Sequence, residues 1–334
     1  MNKKLAVYIT MVLIIIWLLT GELERELGNE KYSNYSQEVE LNTWELINVQ
    51  GTLLTSPNIA NWNVWEQHAI QSDEYFYGWL YGLTKREAKD MLKKLAGDGI
   101  DVQLILENNQ YQDYGKSRQH INEEIGGISG LNFKSDEHLG LNFNHTKTFI
   151  SDEFAFIQSA NLTQSAFASN TEHFFITDNQ VIRENLVSLF DKDWNGNHIS
   201  IDDIQPNLLV CPIDCRAKIM QMIEHAQNSI YIYHQYLKDE ALTLLLKQKI
   251  TEWLDVRLVL SDTESNYLLV RDWWSDVVRI QEKPYVHTKI IVIDEQYAIL
   301  GSMNLSSNAL DNNREIGIIL TDKALIGDLV DQIK

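Results

Sequence analysis

Two similar stretches of this sequence combine residue types that can act on a phosphate ester. HTKTFISDE begins at position 145 and HTKIIVIDE begins at position 287. Each places a lysine two positions after a histidine and an aspartate five positions further on: His145, Lys147 and Asp152, then His287, Lys289 and Asp294. Positions i and i+2 of a strand share a face, so each histidine and its lysine should point into one pocket.

A turn of small residues follows each motif. It reads Gly301-Ser302-Met303-Asn304 in the second copy and Gln158-Ser159-Ala160-Asn161 in the first. Eleven residues after each asparagine comes a glutamate, Glu172 in the first copy and Glu315 in the second. The first copy has Gln158 in place of the glycine and one residue fewer before its serine. We therefore expect its half of the site to hold oxygen ligands slightly differently.

These residues are the set that a metal-free phosphodiester site requires. A neutral imidazole can attack phosphorus and carry the group covalently, and a second, protonated imidazole can give a proton to the leaving oxygen. Lysine, asparagine and serine donors can offset charge on the non-bridging oxygens. A carboxylate behind each imidazole can fix its tautomer, and we assign that role to Glu172 and Glu315.

Two other interpretations of the histidines are possible. One isolated His-x-Lys is more often an ordinary core or surface histidine, but two full motifs at matching spacing favour catalysis. Metal ligation by His145 and His287 is disfavoured because a lysine beside each imidazole repels a cation, and no further ligand stands at a suitable spacing. We predict neither a metal nor a cofactor.

HTKIIVIDEQYAILGSMNLS resembles the signature of the phospholipase D superfamily, and the paired arrangement resembles its two-copy members, over about residues 50 to 330. The resemblance implies a duplicated α/β/α sandwich with pseudo-twofold symmetry and the site at the interface. It also implies a phosphohistidine intermediate with water or an alcohol as acceptor. The residues carried over into the pocket are His145, Lys147, Ser159, Asn161, His287, Lys289, Ser302 and Asn304. Asp152, Asp294 and Gly301 would be structural, the two aspartates supporting a turn.

The whole chain shows the same duplication. DVQLIL at 101 returns as DVRLVL at 255, which indicates two α/β units. Strands are predicted over 75–83, 143–150 and 286–293, among others. We predict an anchor at 1–21, an acidic spacer at 22–47, a first half at 48–195, a linker at 196–207 and a second half at 208–334.

The N-terminus predicts a membrane segment. Lys3 and Lys4 precede an uncharged run from position 5 to 19, at the lower limit of what spans a bilayer. An uncleaved signal anchor is favoured, and a cleaved signal peptide, with secretion of the chain, is the alternative. In both cases the catalytic part would be extracytoplasmic, since the lysines stay in the cytoplasm.

Composition narrows the function. The 334 residues carry 28 Lys and Arg against 47 Asp and Glu, a net charge of −19, which argues against a long nucleic acid as partner. The favoured function is a membrane-anchored phosphodiesterase that cleaves or transfers phosphatidyl groups of phospholipids. The alternatives are a cardiolipin synthase-type phosphatidyltransferase, a nuclease acting on DNA or RNA ends, and a non-catalytic scaffold. No oligomeric state is predicted.

Two further features of the sequence each allow two interpretations. Cys211 and Cys215 are close enough in sequence to form a disulfide or to remain thiols. Tyr267, Leu268 and Leu269 lie close before Trp273 and Trp274, and these side chains fit either a buried helix or a hydrophobic lip of the pocket.

Overall fold

The computed structural model describes residues 41–108, 119–271 and 276–334. The expected anchor at 1–21, most of the spacer, and Trp273-Trp274 lie outside the described residues. Across the three described ranges, no helix is both long and apolar enough to cross a bilayer.

The first half is built on a mixed sheet with strand order β1-β7-β6-β5-β2-β3-β4. Its strands are β1 (Thr52–Ser56), β2 (Tyr75–Leu80), β3 (Asp101–Leu106), β4 (Leu131–Ser135), β5 (Lys147–Ser151), β6 (Ala155–Gln158) and β7 (Asn170–Thr177). Its helices are α1 (Asn61–Ala69), α2 (Arg86–Gly97), α3 (Gln119–Gly126), α4 (Gln164–Ala168) and α5 (Gln180–Trp194).

The second half repeats this plan with the order β11-β10-β9-β13-β14-β15-β8. Its strands are β8 (Leu208–Cys211), β9 (Ser229–His234), β10 (Asp255–Ser261), β11 (Val278–Gln281), β12 (Tyr285–Val286), β13 (Lys289–Ile293), β14 (Tyr297–Gly301) and β15 (Glu315–Leu320). Its helices are α6 (Cys215–Glu224), α7 (Glu240–Thr251), α8 (Glu264–Leu269), α9 (Ser307–Asp311) and α10 (Lys323–Ile333).

The duplication is confirmed by the sheets, because equivalent strands occupy equivalent positions. β2, β3 and β4 are mutually parallel, as are β9, β10 and β11, and the other pairs within each row are antiparallel. Within the described residues, β12 is the exception, because it leaves its own half and pairs with β7 of the other. The strand predicted over 143–150 begins later than expected, at Lys147. The strand predicted over 286–293 is divided between β12, which ends at Val286, and β13, which begins at Lys289.

One apolar core joins the two halves. It contains Trp79 and Phe175 from the first sheet, Tyr233 and Leu300 from the second, and the inner faces of α5 and α10. Two further cores lie on the outer faces, one under α1 and α2 and the other under α6 and α7. Burial of apolar surface on both faces of each sheet gives the layered α/β arrangement.

Cys211 and Cys215 form a disulfide between the end of β8 and the start of α6. Cys211 is also the residue of β8 that lies opposite Glu315 of β15. The disulfide therefore closes the segment next to one of the two candidate glutamates.

Candidate active site

Each half sends the segment before its histidine across to the other half. Tyr285 and Val286 pair with Asn170 and Thr171 of β7, and the backbone N–H of His287 donates to the carbonyl of Thr171 at 3.0 Å. The first half repeats this in a shorter form. There Asn144 bridges to Arg314, and the N–H of His145 donates to the Arg314 carbonyl at 2.9 Å.

This exchange pairs each histidine with the glutamate of the other half. The Nδ1 atom of His145 lies 2.8 Å from Oε1 of Glu315, and the Nδ1 atom of His287 lies 2.6 Å from Oε1 of Glu172. We call these two contacts the crossed pairs. The glutamates are fully buried, whereas the imidazoles keep 15 % and 16 % exposure, so each ring has one covered and one accessible side.

The two lysines lie beside the crossed pairs and are buried. Lys147 Nζ donates to the carbonyl of His145 at 2.5 Å, and Lys289 Nζ donates in the same way to the carbonyl of His287. One hydrogen bond leaves each ammonium group with protons to spare. Both groups can therefore donate further to an anion in the pocket.

The serines and asparagines complete a nearly symmetric set. Ser159 Oγ donates to Glu172 Oε2 at 2.5 Å, and Ser302 Oγ accepts the N–H of Ile316 at 3.1 Å. Asn161 and Asn304 are 9 % and 8 % exposed, and the amide oxygen of each is buried without a hydrogen-bond partner in the described part of the chain. Buried amide oxygens without partners suit a site that receives a polar ligand.

The two motif aspartates lie at the other end of their hairpins. The Asp152 carboxylate accepts the N–H of Asp73, and the Asp294 carboxylate accepts three consecutive N–H groups of residues 227–229. Both carboxylates therefore hold the loop that leads into β2 or β9, and they touch neither crossed pair.

Gln158 does not disturb the pocket in the way its sequence position suggests. Its side chain turns into the core, where it accepts from Trp65 Nε1 at 2.8 Å and donates to the Ala160 carbonyl at 2.7 Å. The missing residue is absorbed in the hairpin turn, since Ile150 pairs with Ala155 whereas its equivalent, Val292, pairs with Ala298. Gln158 therefore gives no reason to expect that the first half holds oxygen ligands differently from the second.

Gly301 is required for close strand packing. A Cβ atom there would lie 2.5 Å from Cα of Gly317 and 2.6 Å from the carbonyl oxygen of Ile316 on β15. The absence of a side chain at this position is what allows β14 and β15 to approach so closely.

Burial and mutual repulsion weaken the positive charge of the free site. Burial lowers the pKa of His145 well below its usual value, and Lys147 and Lys289 lower it further. Burial also lowers the pKa of His287, although Glu172 opposes the effect. Burial lowers the pKa of Lys147 to about 7 and that of Lys289 to about 8. An anion in the pocket would favour the protonated state of all four groups.

The two carboxylates differ in their charge state. Burial raises the pKa of Glu315 to about 8, against the opposing effect of Lys147. Burial acts in the same direction on Glu172, but His287 and Lys289 outweigh it, so that the pKa of Glu172 lies below its usual value. An ionised Glu172 accepts the proton on Nδ1 of His287, which leaves Nε2 as the basic nitrogen of that ring.

Sequence reasoning missed two residues that lie beside the site, Tyr81 and Arg314. The Tyr81 ring lies 5.0 Å from that of His145, edge to face, and Lys147 Nζ is 5.3 Å from its centroid. Arg314 joins the halves through a 2.9 Å ion pair with buried Asp193. Neither residue belongs to a repeated motif. The position equivalent to Tyr81 in the second half is Gln235, and the position equivalent to Arg314 in the first half is Thr171. Only their position after β2 or before a candidate glutamate could have indicated them.

No group of three or more histidine, cysteine, aspartate or glutamate side chains is arranged to hold a metal ion among the residues that the structure describes. In each crossed pair the imidazole is hydrogen-bonded to a carboxylate, and a lysine lies beside the pair.

Comparison with known families agrees with this site. A family model described as cardiolipin synthase, phospholipase D-like domain, matches residues 67–194 and 219–334. The matched segments cover most of the chain and include both motifs. The chain belongs to this family, within the phospholipase D superfamily.

Individual relatives are distant. A probable cardiolipin synthase of Bacillus subtilis is 24% identical over 294 residues, covering 76% of this chain and 58% of that protein. A phospholipase D of Rickettsia prowazekii is 28% identical over 143 residues, covering 39% of this chain and 67% of that protein. The phosphatidylserine synthase structure from Haemophilus influenzae has a TM-score of 0.69 at 11% identity, covering 87% of both chains, and shows the common fold.

Proposed function

We propose that this protein cleaves or transfers phosphatidyl groups of phospholipids through a covalent phosphohistidine, with water or an alcohol as acceptor. A cardiolipin synthase-type transfer, in which the acceptor is itself a lipid alcohol, is one form of this reaction. The observation that carries the proposal is that the two crossed pairs and two buried lysines lie near enough to one another for the lysines of both halves to lower the pKa of each histidine.

In the first step, Nε2 of one histidine attacks the phosphorus atom of the diester. The bond from phosphorus to the leaving oxygen breaks, and that oxygen takes the bonding electrons together with a proton from Nε2 of the other, protonated histidine. Lys147, Lys289, Asn161 and Asn304 donate to the non-bridging oxygens as charge develops on them. The glutamate of each crossed pair holds Nδ1 and keeps the ring in place.

In the second step, the histidine that gave up its proton acts as a base. It removes a proton from water or an alcohol, whose oxygen attacks phosphorus as the nitrogen–phosphorus bond breaks. The nucleophilic histidine recovers its electron pair, and the second histidine is protonated again. The second histidine therefore acts as an acid in the first step and as a base in the second, while the other ring carries the phosphoryl group between the steps.

The surface next to the site supports a lipid substrate. α8 follows β10 at the end of the sheet where the last residue of β9, His234, pairs with Lys289. Two apolar side chains of α8 are solvent-exposed, Tyr267 at 46 % and Leu268 at 45 %. Exposed apolar side chains near a catalytic pocket are suited to contact with acyl chains. The names of the curated relatives point to the same substrate class.

Membrane attachment is the second part of the proposal. The uncharged run at 5–19 behind Lys3 and Lys4 supports an anchor that leaves the catalytic halves outside the cytoplasm. Alkaline carbonate extraction of membranes containing the full chain tests it. Retention in the pellet is expected, and complete release into the supernatant would contradict the anchor.

The activity test is trapping of the intermediate in EDTA. The full chain is mixed with vesicles of phosphatidylglycerol or phosphatidylcholine, or with a labelled oligonucleotide, and the phosphorylated residue is located by mass spectrometry. We expect a lipid-derived adduct on His145 or His287, and loss of turnover by about 100-fold or more when either is changed to Ala. His225→Ala, an exposed histidine on the second half, is the control.

The other outcomes identify the alternatives. An adduct formed only from the oligonucleotide would indicate a nuclease. No adduct and no turnover with any substrate would favour a scaffold, and activity that EDTA abolishes and zinc restores would contradict the metal-free mechanism.

A further inference from the structure

His173 is a fully buried histidine that neither motif includes. It follows Glu172 on β7, so its side chain points to the opposite face from the crossed pair. There it contacts two residues of the second half. Its Nδ1 lies 2.7 Å from Oγ1 of Thr288, and its Nε2 lies 3.1 Å from Oε1 of Gln332 on α10.

The neighbours of His173 define its tautomer. Gln332 Nε2 donates to the carbonyl of Asp328 at 3.0 Å, which turns Oε1 of the same amide toward His173. A carbonyl oxygen only accepts, so His173 carries its proton on Nε2, and Nδ1 accepts the hydroxyl proton of Thr288. Burial lowers the pKa of His173 to about 4, which keeps the ring neutral near neutral pH.

Thr288 lies between His287 and Lys289, and three successive residues of β7 hold this stretch. The Thr171 carbonyl accepts from the backbone of His287, Glu172 binds the ring of His287, and His173 binds the hydroxyl of Thr288. Fixing the backbone on both sides of His287 limits the directions in which its ring can point.

The first half holds its histidine differently. Ile316 takes the place of His173, and the hydroxyl of Thr146 donates to the carbonyl of Arg314 at 3.0 Å. The contact from an imidazole to a threonine hydroxyl is therefore specific to the His287 side.

We propose that His173 is a positioning residue for His287: by accepting the Thr288 hydroxyl it fixes the orientation of the His287 ring against Glu172, and through Gln332 it makes that orientation depend on α10. This rests on the proposed function, since the consequence is read in turnover.

Two substitutions of His173 separate the two contacts. Asparagine places its side-chain oxygen where Nδ1 was and can still accept from Thr288, whereas glutamine places its terminal atoms where Nε2 was and keeps only Gln332 within reach. We expect His173→Gln to lower kcat by about tenfold or more, with KM within about twofold of wild type. His173→Asn should keep most of the wild-type kcat.

A double-mutant cycle tests the route through Thr288. Thr288→Val should lower kcat as His173→Gln does, and the double variant should be no worse than either one. Thr146→Val is the matched control in the first half, and its effect should add to that of His173→Gln. Equal loss in His173→Asn and His173→Gln, additive effects of Thr288→Val and His173→Gln, or a change in KM alone would overturn the proposal.

The ring nitrogens provide a readout that does not need turnover. Nitrogen NMR of the histidine-labelled protein should show His173 with its proton on Nε2, and a His287 signal that moves in His173→Gln but not in His173→Asn. These signals with no lipid turnover would refute the proposed function and retain the positioning contact. A proton on Nδ1, or a His287 signal that responds to neither variant, would refute the positioning role itself.

Discussion

At the scale of single residues, the site buries two lysines, and within the ranges that the structure describes no carboxylate is hydrogen-bonded to either of them. The carboxylates of Glu172 and Glu315 are engaged by imidazoles and the lysines by single carbonyl groups. Buried ammonium groups in this state are poor cations until an anion arrives, because desolvation favours their neutral form. Anion binding and protonation of the lysines should therefore be coupled.

This coupling predicts weaker anion binding at alkaline pH. A lysine is charged below its pKa, so Lys147 should lose its charge as the pH rises through about 7, and Lys289 as it rises through about 8. The inhibition constant of sulfate, whose own charge is fixed over this range, should rise between about pH 6 and pH 9. Competition against a lipid substrate measures it.

Lys147→Arg provides the check on this assignment. Arginine stays charged throughout, so this variant should lose the first part of the pH dependence and keep the part near 8, where Lys289 loses its charge and Glu315 becomes negative. Lys323→Arg, an exposed conservative change on α10, is the control. If the inhibition constant of sulfate does not vary with pH in the wild type, this would contradict the lowered pKa values of the two lysines.

At the scale of elements, the sequence predicts the strands within each half but not the segments that cross from one half to the other. The apolar runs after Lys147 and Lys289 predicted β5 and β13, because a buried strand reads as continuous Ile, Val and Phe. The strands that carry Glu172 and Glu315 were not predicted as partners of the opposite histidines. Their pairing depends on β12 and Asn144 crossing between halves, a long-range contact with no signature in the spacing.

The contact between α5 and the residue before β15 gives a prediction for stability. Asp193 Oδ1 accepts from Arg314 at 2.9 Å and its Oδ2 accepts from Trp79 Nε1 at 2.9 Å, with both charged groups buried. Asp193→Ala leaves the guanidinium buried without its carboxylate, so the free energy of unfolding should fall by about 3–5 kcal/mol. Asp191→Ala, on an exposed position of the same helix, should change it by less than about 0.5 kcal/mol.

Denaturant unfolding of both variants measures this difference. Because Arg314 also supplies the carbonyl that holds His145, Asp193→Ala should lower kcat as well. Equal stability of the two variants would show that water or another group replaces the carboxylate.

At the scale of the whole molecule, the crossed pairs make the two halves one catalytic unit. Each imidazole takes its carboxylate from the other half, and one apolar core runs between the sheets. The repeat in the sequence predicted two similar units and one shared site. It could not predict the asymmetry, since Tyr81, His173 and Arg314 each occur in one half alone.

The net charge of −19 sets the last prediction, which concerns the approach of the protein to an anionic bilayer. A chain this acidic is repelled by an anionic bilayer, and salt screens that repulsion, with a Debye length of about 10 Å at 0.1 M. Apparent KM for phosphatidylglycerol vesicles should therefore fall as salt rises from about 0.02 M to about 0.3 M. Phosphatidylcholine vesicles, which carry no net charge, are the control and should show little change.

A nucleic-acid enzyme behaves in the opposite way, because its contacts to phosphates weaken as salt rises. A KM for the anionic vesicles that increases with salt would thus indicate a local basic surface that outweighs the charge of the whole chain.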